Sequence, residues 1–341
     1  MANVNLKKLA AELNLSVSTV SKALMNSHEI SIETKERVLS LAKKLNYIPN
    51  PYASSLRRKT SKTIAVVIPE VADSFFSIAI NGIESVAQDK GYHVLIYLTH
   101  ENFLKEKAIL NDFQSGRVDG VLMSVTSETV DTVHIHDLCS RGFPVIFFDR
   151  VCEDIETAKI TTDDFESSYK ATKHLIECGC RKIAFLSFSK SLSISNKRME
   201  GYKQALADNK IKTDEADLIF CTNDDAYNYT LLRNVMAQKK HPDGIIASVE
   251  KLTTTVYLVC KELKRAIPRD VKIVSFSNLQ SAVILNPALT TITQPAFEMG
   301  KAAATVLFRS LEKSGFNLKK EKYVIPSTLV IRDSTVEAGK K

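Results

Sequence analysis

The stretch LNLSVSTVSKALMNS, residues 13–27, is rich in Ser, Thr and Val. A helix selected only for packing would favour Ala, Leu, Glu and Lys, which lose less rotamer freedom in that conformation. Short polar side chains suit a helix with one face that must approach another surface and read hydrogen-bonding groups on it. Ser18 and Lys22, four residues apart, share a face that Val17 leads, whereas Val20, Ala23 and Leu24 supply an apolar stripe opposite. The spacing predicts a helix from Val17 to about Met25, capped by Ser16, with a face shaped to enter a DNA groove.

Working outward, Leu6, Leu9, Ala10 and Leu13 space an amphipathic helix before Asn14, a turn residue. Val38, Leu41, Ala42 and Leu45 line a third helix that Ser31 or Thr34 opens. Two short helices, a tight turn and a third closing the core describe a helix-turn-helix module over residues 1–48. Then comes YIPNPYASSLRRKTSK, residues 47–62. Pro49 and Pro51 stop the third helix, and Asn50 can cap a new one with Pro51 at its first position. A helix over about 52–57 falls short of the roughly 12–15 residues needed to persist alone in water, so it should form on contact with a partner. Leu56 beside Arg57, Arg58 and Lys59 is an apolar wedge among cations, suited to minor-groove insertion. A plain interdomain linker over 49–61 is the alternative.

Charge follows the same division. Of 46 Lys+Arg and 39 Asp+Glu, residues 1–62 hold 11 basic and 4 acidic, leaving 35 of each sign in the other 279. The net charge of +7 thus resides in a basic head on a neutral body, as expected of a nucleic-acid contact. With 44% hydrophobic residues and no apolar run near the roughly 18 of a membrane span, no membrane partner is expected. The opening residues lack the apolar core of a signal peptide, so a cytoplasmic location is expected. Cys139, Cys152, Cys178, Cys180, Cys221 and Cys260 form no CxxC pair and read as buried, reduced thiols. His134 and His136 read as a solvated helix surface, and no metal site is expected.

In the body, apolar strand-like runs at 64–68, 93–98, 120–125, 145–148, 183–187, 218–221, 244–247, 271–276 and 323–331 alternate with helical stretches. This is the pattern of a parallel α/β sheet with helices on both faces. Some 279 residues exceed one comfortable core, so two α/β lobes follow. GxGxxG, P-loop and GxSxG motifs and motif-set carboxylate pairs are all absent, and 11 glycines leave little for phosphate loops. Neither catalytic residues nor a cofactor is expected. Asp163 and Asp164 read as a helix cap with Glu166 in the first turn.

The segment from VNLKKLAAELNLSVSTVSKALMNS through ISIETKERVLSLAKKLNYIPNPYASSLRRKTSK resembles the opening of the lactose-repressor (LacI/GalR) family almost without gaps. That family's V-S-x-x-T-V-S pattern stands as Leu15 to Ser21, its N-Y-x-P-N junction as Asn46 to Asn50, and its hinge leucine as Leu56. The resemblance continues through DGV, GYHVLIYLT, RMEGYKQAL and NPALTTITQP, over nearly the whole chain. It implies DNA contacts from Ser16, Val17, Ser18, Thr19, Ser21, Lys22, Asn26, Tyr47, Asn50, Ala53, Leu56 and Arg57. It also implies a periplasmic-binding-protein-like body over 62–341 that binds an effector and dimerises. One lobe is expected at 62–161 and 294–322, the other at 162–293 and 323–341.

Effector contacts implied by position are Phe75, Phe76, Asp149, Arg150, Arg198, Asn223, Glu250 and Ser277. One departure matters: where the family usually has an Asp after the aromatic of GYDN or GFDD, this chain reads VSFSN, with Ser277 there and Ser275 for the glycine. A hydroxyl accepts more weakly than a carboxylate, and the lost negative charge points to an effector of anionic character, such as an acidic or phosphorylated sugar. The function implied is a homodimeric repressor on a pseudo-palindromic double-stranded operator, controlled by a carbohydrate-related effector. A solute receptor without DNA function and an activator are the alternatives. The tail after Arg332 has no heptad zipper for tetramers.

Overall fold

A computed structural model describes residues 5–47 and 60–336. They belong to two compact units, divided between Ser61 and Lys62. The expected hinge helix, with Asn50, Ala53, Leu56 and Arg57, lies outside the described residues.

The first unit has three helices. Helix α1 (Leu6–Leu13) starts where the Asn5 side chain accepts the Lys8 N–H, and ends at Asn14 in the left-handed conformation (φ 53°). Asn tolerates that region with its short polar side chain, which is how the chain turns here without a glycine. In α2 (Val17–Leu24), Ser16 Oγ accepts the Thr19 N–H at 3.0 Å; in α3 (Ile32–Lys44), Ser31 Oγ accepts that of Thr34 at 3.3 Å. Leu9, Val20, Ala23 and Val38 are essentially inaccessible and form the core with Ala10 and Ala42. Each fully buried Leu or Val contributes roughly 1.5–3 kcal/mol. Leu24, expected in the buried stripe, is only half-buried.

The second unit contains two six-stranded sheets. The first lobe takes β1 (Thr63–Ile68), α4 (Ser74–Asp89), β2 (His93–Leu98), α5 (Phe103–Asp112), β3 (Val121–Met123), α6 (Val133–Ser140), β4 (Val145–Phe148) and β5 (Ala158–Thr162). The chain then builds the second lobe from α7 (Asp164–Glu177), β6 (Ile183–Ser187), α8 (Ser193–Asp208), β7 (Leu218–Phe220), α9 (Asp225–Met236), β8 (Gly244–Ala247), α10 (Lys251–Glu262), β9 (Lys272–Phe276) and β10 (Thr290–Thr293). It returns for α11 (Ala296–Glu312) and β11 (Lys322–Ile325), and ends in the second sheet with β12 (Thr328–Val330). Strand orders are β11-β5-β4-β3-β1-β2 and β12-β10-β9-β8-β6-β7. Every neighbouring pair is parallel except β10 with β12.

Two strands escape the sequence reading because threonine replaces the apolar run: β5 reads AKITT and β10 reads TTIT. The expected strand 323–331 is two strands in different sheets, divided at Pro326, whose missing N–H ends a ladder. The final crossing therefore falls at Pro326 and Ser327, not between 322 and 323 as the expected lobe boundary had it.

Helix contacts position the cleft. A Cβ on Gly82 would lie 2.1 Å from Phe297 O and one on Gly300 2.0 Å from Ala79 O, so α4 and α11 touch backbone to backbone. In the other lobe, a Cβ on Gly201 would lie 2.1 Å from Phe165 O, which holds α8 equally close to α7. That approach, one turn from Arg198, brings the arginine to the first residue of α7.

His134 corrects the surface reading: it is buried in α6, and its Nε2 lies 3.0 Å from Glu106 Oε1. Glu106, fully buried in α5, also accepts the Thr126 N–H at 3.0 Å, so the imidazole completes the partners of an interior carboxylate. His136 is exposed. All six cysteines are free, four of them buried and Cys139 and Cys178 half-buried.

Candidate functional site: a base-reading helix and an inter-lobe cleft

On the first unit, Ser16, Ser18, Lys22 and Asn26 are exposed, and Val17, Thr19 and Ser21 are half-exposed along α2. Ser18 Oγ lies 2.7 Å from the capping Ser16 Oγ, so the start of the helix is pinned by hydroxyls. Lys22 is not free: its ammonium pairs with Glu29. Tyr47 packs half-buried on the three-helix core, and Val17 also leans on it.

The second unit holds a narrow cleft where strand ends of both lobes meet. Phe75 and Phe76, at the start of α4, stand edge to face with ring centroids 5.3 Å apart; both line the cleft and belong to the first lobe's core. Phe276, closing β9, is the facing aromatic, with the Arg198 guanidinium 4.0 Å above its ring. Arg198 is fully enclosed. Its Nε donates to Asp164 Oδ1 at 2.7 Å and its Nη1 to the Ser248 carbonyl at 2.6 Å, while Nη2 has no partner among the described residues. Arg150, just past β4, donates from Nη1 to Glu101 Oε1 at 2.7 Å and leaves Nε without a hydrogen bond.

Carboxylates face these cations. Asp149 ends β4 in the left-handed conformation (φ 62°) and accepts from Gln294 Nε2 at 3.4 Å. Burial pushes its carboxyl up to about 6 despite Arg150 and Arg198 nearby, and burial with the Glu250 charge does the same for Asp73. For Glu101 burial is outweighed by Arg150, which holds it below the usual range. Glu250, before α10, accepts the Ser74 N–H (3.1 Å), the Asn278 N–H (2.9 Å) and the Ser277 hydroxyl (2.7 Å). Ser74 belongs to the first lobe and the other two to the second, so one carboxylate bridges the lobes.

These two sites sit on a chain whose relatives are informative. Residues 5–50 match the description "Bacterial regulatory proteins, lacI family", and residues 172–335 a periplasmic binding protein-like domain. The chain is 30% identical over 334 residues to the ribose operon repressor of Halalkalibacterium halodurans, covering 97% of this chain and 96% of that protein. This chain belongs to the lacI family of bacterial regulatory proteins. The HTH-type transcriptional regulator RegA of Clostridium saccharobutylicum is 27% identical over 97% of this chain and 99% of its own length. Among solved structures, the lac repressor dimer bound to operator and an anti-inducer superposes with a TM-score of 0.82 at 21% identity, covering 98% of this chain and 99% of that one. A ribose-bound LacI-family regulator from Enterococcus faecium gives 0.70 at 25%, covering 80% and 98%.

As a lacI-family member the chain is a DNA-binding transcriptional regulator. No helix among the described residues is long and apolar enough to cross a membrane, and no group of three or more His, Cys, Asp or Glu there could hold a metal. Of the effector residues expected from the family pattern, the cleft brings together Phe75, Phe76, Asp149, Arg150, Arg198, Glu250 and Ser277. Asn223 is not among the lining residues; its Oδ1 accepts from Lys251 Nζ at 2.7 Å in an exposed pair. Asp73, Phe276, Asn278 and Gln294 line the cleft and escaped the sequence reading. Asp73 caps α4 by accepting the Phe75 N–H at 2.9 Å. The cap expected of Asp163 and Asp164 is corrected: Asp163 stands at the N-cap position of α7 but its side chain makes no capping hydrogen bond, accepting instead the Ser327 N–H at 2.6 Å, and Asp164 serves Arg198.

The charges around the cleft bear on the expectation of an anionic effector. Ser277 does not leave its corner without negative charge, because its hydroxyl donates to Glu250. Both arginines are already matched by Glu101 and Asp164, so Asp73, Asp149 and Glu250 make the lining net negative.

The raised carboxyls set a pH dependence. A group at about 6 when folded and 3.8 otherwise binds more protons in the folded state between those values. Stability contributed there is present at low pH and falls as pH rises toward 6. Asp149→Asn, which keeps the shape and tolerates the left-handed backbone, should therefore stabilise the unit above pH 6 by on the order of 3 kcal/mol and change little near pH 4. Urea midpoints at both pH values check this; equal shifts at both would contradict it.

Proposed function

We propose that the protein is a homodimeric repressor that binds a pseudo-palindromic operator in the cytoplasm, with its affinity set by a neutral sugar or polyol in the cleft. The observation that carries the effector class is the pair of buried N–H groups without a hydrogen bond, Arg198 Nη2 and Arg150 Nε, the latter 3.9 Å from Oδ2 of the ionisable Asp149. A hydroxyl both donates and accepts, so a polyol can take an N–H from each arginine and give its proton to a carboxylate, which a simple anion cannot. Phe75, Phe76 and Phe276 supply apolar faces for the C–H side of a sugar ring. The ribose named for two relatives makes a pentose the first candidate.

Residues Ser16, Val17, Ser18, Thr19, Ser21, Lys22 and Asn26 are proposed as the major-groove contacts in each half-site, with Tyr47 supporting them. Asn50, Ala53, Leu56 and Arg57 are proposed as the hinge contacts, on sequence grounds alone. Dimerisation has its own support: β2 is an edge strand carrying exposed Leu95 and Ile96, and Leu258, Val283 and Ile284 are exposed elsewhere on the unit. An apolar edge left open invites pairing or aggregation, and a two-fold partner that covers it explains a two-fold operator.

Thermal unfolding and operator release with D-ribose, other neutral pentoses and hexoses, and their phosphates test this reading. One neutral sugar should raise the melting temperature and release operator, with a stabilisation of about 2.7 kcal/mol at 100 times its Kd. Arg198→Lys keeps a charge for Asp164 but removes Nη2, and should weaken that response while operator binding persists. A response confined to phosphorylated sugars would overturn the neutral effector.

A further inference from the structure

We infer that Glu29 is a specificity-determining residue of the DNA-binding head, acting with Lys22 as a joined donor–acceptor pair that reads one G·C base pair in each half-site. This rests on α2 being the base-reading helix. The chain reverses directly after that helix: Asn26 adopts the left-handed conformation (φ 54°) and the Ser27 N–H donates to the Lys22 carbonyl at 3.0 Å. That reversal returns Glu29 alongside Lys22, seven residues back, and the two side chains pair. Their side chains are 46% and 52% exposed, and Ser18 is exposed one turn earlier on the face that carries Lys22.

Stability gives little reason for an acid here. An ion pair this exposed contributes next to nothing to folding. Against DNA a carboxylate carries a cost, since every negative charge near phosphate opposes binding. What the pair offers is chemistry that neither member has alone. A lone Lys22 has three rotatable donors on a flexible stem and can leave guanine for a phosphate. With Glu29 attached, the ammonium and a carboxylate oxygen arrive side by side. In the major groove of a G·C pair, guanine O6 accepts and cytosine N4–H₂ donates next to it, which is the complement of Lys22 donating and Glu29 accepting. If the pair is reversed or replaced, the carboxylate faces an acceptor or finds no partner, so the acid excludes wrong sequences.

Selection from a randomised half-site with the full-length protein tests the inference, alongside binding to non-specific duplex at fixed salt. The parent should prefer G·C strongly at one position. Glu29→Ala should relax that position about tenfold, leave the other positions unchanged and tighten non-specific binding. Glu29→Gln, neutral and of equal length, should likewise tighten non-specific binding; circular dichroism melting confirms that both variants fold. If Lys22→Ala removes the preference but Glu29→Ala does not, the inference is overturned while α2 keeps its role. If Lys22→Ala leaves every position unchanged, α2 is not the reader and the inference falls with it.

Discussion

Asp164→Ala should destabilise the effector-binding unit by about 3–5 kcal/mol, seen as a large drop in its urea midpoint. The expectation follows from what the change leaves behind. Arg198 and Asp164 are both almost wholly enclosed, 2.7 Å apart, and each is satisfied mainly by the other. Removing the carboxylate strands a guanidinium whose remaining hydrogen bond is to the Ser248 carbonyl, with the Phe276 ring below it and the Asp149 carboxyl, itself raised by burial, nearby. Burial raises the Asp164 carboxyl even against Arg198, so part of the pair's attraction already offsets desolvation. Asp149 supplies a control on the same variant. Asp164 is one of the charges that keep the Asp149 carboxyl raised, so without it Asp149 should titrate lower. The three-helix head has its own core of Leu9, Val20 and Val38 and should melt as before. A midpoint shift below 1 kcal/mol would mean that the arginine finds water or another partner, and that the cleft is less closed than its geometry indicates.

The parts of this molecule that could be read from sequence are those governed by short-range rules. Ser16 and Ser31 cap helices because a hydroxyl three residues before an N–H is a local fact, and Asn14 turns the chain for an equally local reason. Strands that are buried on both faces announce themselves as apolar runs, whereas β5 and β10 use threonine and stay silent. The places of Asp149, Arg150 and Ser277 at the cleft are legible only through the resemblance to the family, position by position. The rest depends on contacts between distant residues. Arg198 meets Asp164 across 34 positions and Ser74 meets Glu250 across 176, so no spacing rule would join them. The charge at that corner of the cleft has the same origin: the loss of an acid at Ser277 is visible in the sequence, and the approach of Glu250 from another element is not. Gln294 and Asn278 escaped because a loop amide has no pattern at all.

Salt should govern operator binding more strongly than any single substitution. If each protomer of the proposed dimer holds about four phosphates, about eight in all, log K against log salt should fall with a slope of about −7, roughly 10⁴ in affinity between 50 and 200 mM. The whole effect is assigned to the head, because residues 1–62 carry the entire net charge and the remaining 35 cations are balanced by 35 anions. A slope shallower than about −2 would show that the basic head does not grip DNA. The effector gives the measurement a second reading. A ligand that binds one lobe arrangement better than the other can act only by changing how the two heads are presented. If it moves them out of register with the half-sites, one head stays bound, and the slope with saturating effector should fall to about −3.5. A slope that stays near −7 while affinity drops would instead mean that both heads keep their phosphates and that the effector disturbs base reading, placing the control at α2 and not at the spacing of the dimer.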